Sequence, residues 1–119
     1  MTSRLPQFSC GLDAAVSVVG GKWKPLILWA LSESPMRFGE LRRYLTGISE
    51  KMLAQQLREM EADGLVHREV FAEIPPKVQY SLARLGVTLN EALMPLGDWG
   101  SEYMDDIIEA RTDDARPAV

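Results

Sequence analysis

The chain has a single cysteine, Cys10, and a single histidine, His67. One thiol excludes an internal disulfide framework and fits a reducing compartment. One histidine and one cysteine so far apart in sequence make neither a zinc ligand set nor a nucleophile-base pair, so neither a metal site nor a catalytic residue is expected. His67 reads as a surface residue on a strand. Long hydrophobic runs are also missing: the longest, Leu26 to Leu31, is too short to span a bilayer, and no membrane partner is expected. The first ten residues lack the apolar stretch of a secretory signal, so a cytoplasmic protein is expected. No glycine-rich loop precedes a helix, because Gly20-Gly21 follows one; this argues against a phosphate-cradling cofactor site, and neither a cofactor nor an enzyme is expected. Internal repeats and low-complexity tracts are absent as well.

What is present is ordinary in bulk and uneven in distribution. With 119 residues, 46% hydrophobic and 25% charged, the chain has the size and composition of one globular domain that buries its own core. The formal net charge of -4 argues at first against a nucleic-acid partner. From Asp98 onward, however, seven acids stand against two arginines, leaving 11 basic and 10 acidic residues in positions 1 to 97. The acidity is mostly a C-terminal feature, and a local face can still be positive.

The most informative stretch runs from Gly47 to Val70. Ser49 stands where an N-cap belongs, Glu50 follows where a carboxylate suits the helix dipole, and Gly64 lies just past the last turn. These signals delimit a helix of about four turns. At 100° per residue Leu53, Leu57 and Met60 share one side, while Lys51, Gln55 and Arg58 fall together on the other. A solvated face is one reading of that polar stripe. Side chains that bond base edges and phosphates in a major groove are the other, with Glu50 and Glu59 flanking them and tempering affinity.

The neighbouring segments favour the second reading. Phe38 to Leu45 forms a shorter predicted helix, with Phe38, Leu41 and Leu45 inward and Arg42 and Arg43 outward, joined to the next by the glycine-containing turn Thr46-Gly47-Ile48. Downstream, Leu65 to Phe71 and Lys77 to Leu82 read as strands around Glu73-Ile74-Pro75-Pro76, an extended connection without donor N–H groups at its prolines. Val78, Tyr80 and Leu82 alternate with Lys77, Gln79 and Ser81. Helix, turn, helix and hairpin follow one another in winged-helix order. The expected fold is mainly α with a small β-hairpin wing (α+β), a winged helix-turn-helix over 24–82.

Two helices precede this core. Leu12, Ala15, Val16 and Val19 mark an amphipathic helix over residues 12 to 19, ending at Gly20-Gly21. A second, Lys24 to Ser32 with Pro25 in its first turn, is apolar all round from Leu26 to Leu31 and is expected to be buried on most sides, Trp23 and Trp29 included. Met36-Arg37 reads as a short edge strand. After the hairpin Leu85, Leu89, Leu93 and Leu96 continue a helical stripe that Pro95 is expected to kink or restart. Leu96, Trp99, Tyr103 and Ile107 then form a wide apolar face, with Met104 and Ile108 beside them. Such a face either folds back on its own domain or meets a partner, and a second copy is the economical partner. From about Arg111 to Val119 the tail is expected to be disordered.

With these residues in view, the sequence resembles the HxlR family of bacterial transcriptional regulators, winged-helix proteins similar in fold to the MarR group. The resemblance is carried by Gly-Gly-Lys-Trp-Lys-Pro-Leu-Ile-Leu at 20 to 28, Arg-Phe-Gly-Glu-Leu at 37 to 41 and Gly-Ile-Ser-Glu-Lys-Met-Leu at 47 to 53. Glu-Ala-Asp-Gly-Leu-Val-His-Arg from 61, Pro-Lys-Val-Gln-Tyr-Ser-Leu from 76 and Leu-Gly-Asp-Trp-Gly from 96 complete an ordered set. It implies a homodimer joined through its first and last helices, about 9–22 and 83–110, reading a palindromic operator in double-stranded DNA. It also implies response to reactive small molecules, in some members through a cysteine matching Cys10. Two departures stand out: Gly11 replaces the proline that often follows that cysteine, and Ala83-Arg84-Leu85-Gly86 replaces a Thr-x-x-Gly helix start.

The expected base-reading residues are Ser49, Lys51, Met52, Gln55, Gln56 and Arg58; Arg37, Arg42, Arg43 and Lys77 are expected on phosphates. The expected dimer interface comprises Leu12, Val16, Leu89, Leu93, Leu96, Trp99, Tyr103 and Ile107, where an aromatic pocket has room for a small reactive or aromatic effector. Cys10 precedes a helix whose positive end lowers a thiol pKa, with Asp13 opposing the shift. It is either an inert thiol or a redox or electrophile sensor. Absent a second cysteine, its oxidation can proceed only to a sulfenic acid, a mixed disulfide with a small thiol or a Cys10-Cys10 bond across the dimer. The competing function is a winged helix used for protein assembly without DNA, in which the polar face has no base to read.

Overall fold

In the computed structural model, which describes residues 7–115, local signals set most element boundaries. The order is α1 (Gly11–Val19), α2 (Trp23–Leu31), β1 (Met36–Arg37), α3 (Phe38–Tyr44), α4 (Glu50–Ala62), β2 (Val66–Phe71), β3 (Lys77–Leu82), α5 (Arg84–Glu102) and α6 (Met104–Ala115). Helix α4 begins where Ser49 Oγ accepts the Met52 backbone N–H at 3.0 Å. It ends in a Schellman closure: Leu65 N–H donates to Met60 O at 2.8 Å and Gly64 N–H to Glu61 O at 3.0 Å, with Gly64 at φ 76. That left-handed turn sends the chain directly into β2.

The antiparallel sheet has the order β1-β3-β2. Met36 and Arg37 pair with Tyr80 and Gln79, and Val66 to Phe71 pair with Leu82 to Lys77. Ile27, Leu28, Leu41, Leu53, Leu57, Met60 and Leu65 fill the core between sheet and helices. Ala83 N–H donates to the Leu65 carbonyl at 2.9 Å, and Gly86 lies directly against the same carbonyl, where a Cβ has no room. This close approach fixes the start of α5 on the sheet.

Five expectations need correction. Helix α5 continues through Pro95 and breaks only at Tyr103. Pro95 and Glu91, whose carbonyl loses its partner, are both exposed on the outer side, where water can satisfy that carbonyl. The stripe expected from Leu85 is rotated: Leu85 is exposed, while Leu89 and Leu93 are half-buried against the core because α5 lies along α2. Leu26 and Trp29 are exposed; they stand one turn apart on the flank of α2 that its neighbours leave open. Residues 111–115 continue α6, started by Asp105 and Asp106 at the favourable dipole end, so the tail expected to be disordered is partly helical; 116–119 lie outside the described residues. The wing connection, expected to be extended, bends at Ile74 and Pro75, whose peptide bond is cis.

Candidate nucleic-acid interface

Helix α4 is held by its buried side. Leu53, Leu57 and Met60 are fully enclosed, so Lys51, Gln55 and Arg58 are directed outward, all three exposed as their spacing predicts. Met52 is exposed at the edge; Gln56 is half-buried and its Nε2 donates to Met52 Sδ at 3.5 Å. Ser49 is committed to its cap.

The four cations expected on phosphates divide into three and one. Arg37 on β1, Arg43 on α3 and Lys77 on β3 line one cavity of about 480 Å³ with Pro35, Glu40 and Gln79. The strand register creates this cluster, since Arg37 pairs with Gln79 two residues along β3 from Lys77. Glu40 Oε1 accepts the Arg37 backbone N–H at 2.9 Å, and the Lys77 ammonium lies 4.9 Å from the Phe71 ring centroid. Those contacts steady the strand and the lysine beside the concavity that all three cations line. Arg42 is elsewhere: its Nη1 is 3.1 Å from Glu50 Oε1. Gln79 was absent from the sequence-derived set, although its alternation with Lys77 on one strand face was a usable signal.

A second surface is apolar. Helix α1 buries none of its residues; Leu12 is 72% exposed and Val16 58%. Leu96, Trp99, Tyr103, Met104 and Ile108 are also exposed, Ile107 is half-buried, and the Trp99 and Tyr103 rings lie 5.5 Å apart. Between α2 and α5 runs a groove of about 380 Å³ lined by Pro25, Leu26, Trp29, Leu93, Met94 and Leu96. Trp29 therefore belongs to a surface groove, not to the core, whereas Trp23 packs against the core.

Cys10 occupies the N-cap position of α1 and is exposed. The backbone amides of Asp13 and then Leu12 hold its thiol below the ordinary value, with a smaller contribution from Ser9. Asp13 thus lowers the thiol pKa through its amide, while its carboxylate accepts from Ser9 N–H and Oγ–H at 3.0 and 3.2 Å. His67 is exposed on β2, and the described residues contain no cluster of metal-ligating side chains. Nor do they contain a helix long and apolar enough to cross a membrane.

A helix pair joined by a tight turn, with a three-stranded sheet ending in a hairpin wing, defines a winged helix-turn-helix protein. Within that class the chain belongs to the HxlR-like helix-turn-helix family, whose model matches residues 18–108. It is similar to the HTH-type transcriptional regulator YdeP of Bacillus subtilis, with 43% identity over 82% of this chain and 77% of the relative. Among solved structures it is similar to the redox regulator HypR in its reduced form, with a TM-score of 0.79 and 40% identity over 84% of this chain and 99% of the other. The reduced form of the transcriptional regulator YodB from B. subtilis matches with a TM-score of 0.71 and 34% identity, covering 81% of this chain and 95% of that one.

Proposed function

We propose that this protein is a sequence-specific DNA-binding transcriptional regulator, not an enzyme, and that it acts as a homodimer on a palindromic operator. The observation that carries the reading is the outward stripe of Lys51, Gln55 and Arg58 on a helix whose opposite side is locked in the core. Gln55 suits bidentate bonding to adenine; Lys51 and Arg58 suit guanine or phosphate. Arg37, Arg43 and Lys77 take a backbone phosphate at the wing base and set register, not sequence. A protein-assembly module gains nothing from three such side chains side by side.

The exposed apolar face of α1, α5 and α6 is the dimer interface in this reading, and it sets two copies of α4 about 34 Å apart for successive major grooves. Cys10 is its sensor: the amide-stabilised thiolate adds to a quinone, forming a carbon–sulfur bond while the ring takes up a proton. HypR, to which the chain is similar, is a redox regulator. The test is gel-shift binding to DNA upstream of the protein's own gene and to a random pool, before and after quinone treatment. Saturable, salt-sensitive binding that falls on treatment and persists in Cys10→Ser supports both parts. Binding indifferent to the quinone removes Cys10 as the sensor, and absence of specific binding across the pool leaves the assembly-module reading.

A further inference from the structure

Among the described residues one charged side chain lies in the interior: Lys24, 9% exposed. It sits in the first turn of α2, and its Nζ is 3.1 Å from Oε2 of Glu59 on α4. Burying an ammonium is costly unless it is paired, and an apolar residue would extend the run Leu26 to Leu31 without that cost. The lysine is therefore not explained by packing.

Its partner stands where charge matters. Glu59 is half-exposed, one helical turn beyond Gln55 and adjacent to Arg58, on the flank of the outward stripe. Left unpaired, its carboxylate would repel the phosphates that the stripe approaches. The same situation recurs on the other flank, where Glu50 is held by Arg42 at 3.1 Å. Both ion pairs found among the described residues thus take an acid of α4, each from a different neighbouring helix.

We propose that Lys24 is a positioning residue for DNA recognition, acting from behind the reading helix to neutralise Glu59 so that the face presented to DNA is cationic; this rests on the DNA-binding reading above. The arrangement separates two roles. Lys51 and Arg58 remain free for DNA, while Lys24 acts on the charge of α4 without touching DNA.

The test compares wild type, Lys24→Met, Glu59→Gln and the double variant on a DNA selected by the wild-type chain from a random pool, by fluorescence anisotropy from 50 to 300 mM salt, with thermal melts alongside. Lys24→Met is expected to weaken binding on the order of tenfold for a two-protomer complex at low salt, through one unmasked carboxylate per protomer, with the deficit shrinking as salt rises. Glu59→Gln binds at least as tightly as wild type, and the double variant returns to within about twofold of it. Should Lys24→Met fail to fold, Lys24→Arg retains wild-type binding and Lys24→Gln repeats the loss. A double variant as weak as Lys24→Met, or a deficit that salt leaves unchanged, overturns the proposal and makes Lys24 a structural strut. If Lys24→Met binds as wild type, the proposal also fails while the DNA-binding reading stands; absence of wild-type binding removes the reading itself.

Discussion

Lys77→Gln is the sharpest probe of the wing base. Lys77 shares one concavity with Arg37 and Arg43, and its ammonium is steadied against the Phe71 ring, so its charge is held at a defined place. If that place holds a backbone phosphate, each protomer loses one phosphate contact and the dimer loses two. With about 0.9 counterions released per contact, the slope of log K against log salt becomes shallower by roughly 1.8. Between about 50 and 200 mM salt, that slope difference changes the ratio of wild-type to variant affinity by roughly tenfold. Arg42→Gln is the internal comparison, because Arg42 already pairs with Glu50 at 3.1 Å, away from the wing-base cavity. It is expected to lower affinity by freeing Glu50 while leaving the slope nearly parallel to wild type. Anisotropy titrations at four or five salt concentrations measure both. Parallel lines for Lys77→Gln, or a larger slope change for Arg42→Gln, would refute the division of the cations into three and one.

Three further outcomes follow from particular contacts. Leu57→Ala, at a core position of α4, is expected to destabilise the fold by about 2–5 kcal/mol in urea denaturation, and a loss under ~1 kcal/mol would contradict its burial. Because the Asp13 and Leu12 amides lower the Cys10 thiol pKa, its alkylation rate is expected to rise with pH at lower values than in the urea-unfolded chain, where the amides no longer converge; coincident profiles would count against the effect. Trp99→Glu, on the exposed apolar face, is expected to turn a dimer into a monomer in sedimentation without lowering the melting temperature of the winged-helix core, and an unchanged mass would place the interface elsewhere.

What could be read from sequence, and what could not, follows the range of each signal. Ser49, Gly64 and the Leu53, Leu57, Met60 stripe act within a turn or two, so α4 and its outward face were legible residue by residue. Alternation in Val78, Tyr80 and Leu82 placed β3 with its observed ends. Pro95 misled because a proline disrupts a helix most where the freed carbonyl is buried, and here both partners face solvent. Trp29 misled because hydrophobicity gives no information about which flank of an apolar helix its neighbours leave open. The wing-base cluster depends on β1 pairing with β3, and the Lys24–Glu59 pair on α2 crossing α4. Neither is encoded in any window shorter than the fold.

Charge shows the same dependence on scale. A formal net charge of -4 describes the chain, but its acids are unevenly placed: several stand on α5 and α6 and two on α4 are paired, while Glu40 lies within the wing-base cavity. Asp98, Glu102, Asp105, Asp106 and Glu109 lie on α5 and α6, elements that contribute nothing to the wing-base cavity or to the stripe on α4. Of the acids flanking that stripe, Glu50 and Glu59 are each held at 3.1 Å by a cation from another helix. At about 0.15 M salt the Debye length is ~8 Å, so distant carboxylates on α5 and α6 are largely screened while paired ones near the stripe are cancelled locally. The sign of the net charge therefore says little about this face. What decides it is whether Lys24 and Arg42 keep their partners occupied, leaving Lys51, Arg58, Arg37, Arg43 and Lys77 as the charges that DNA would meet first.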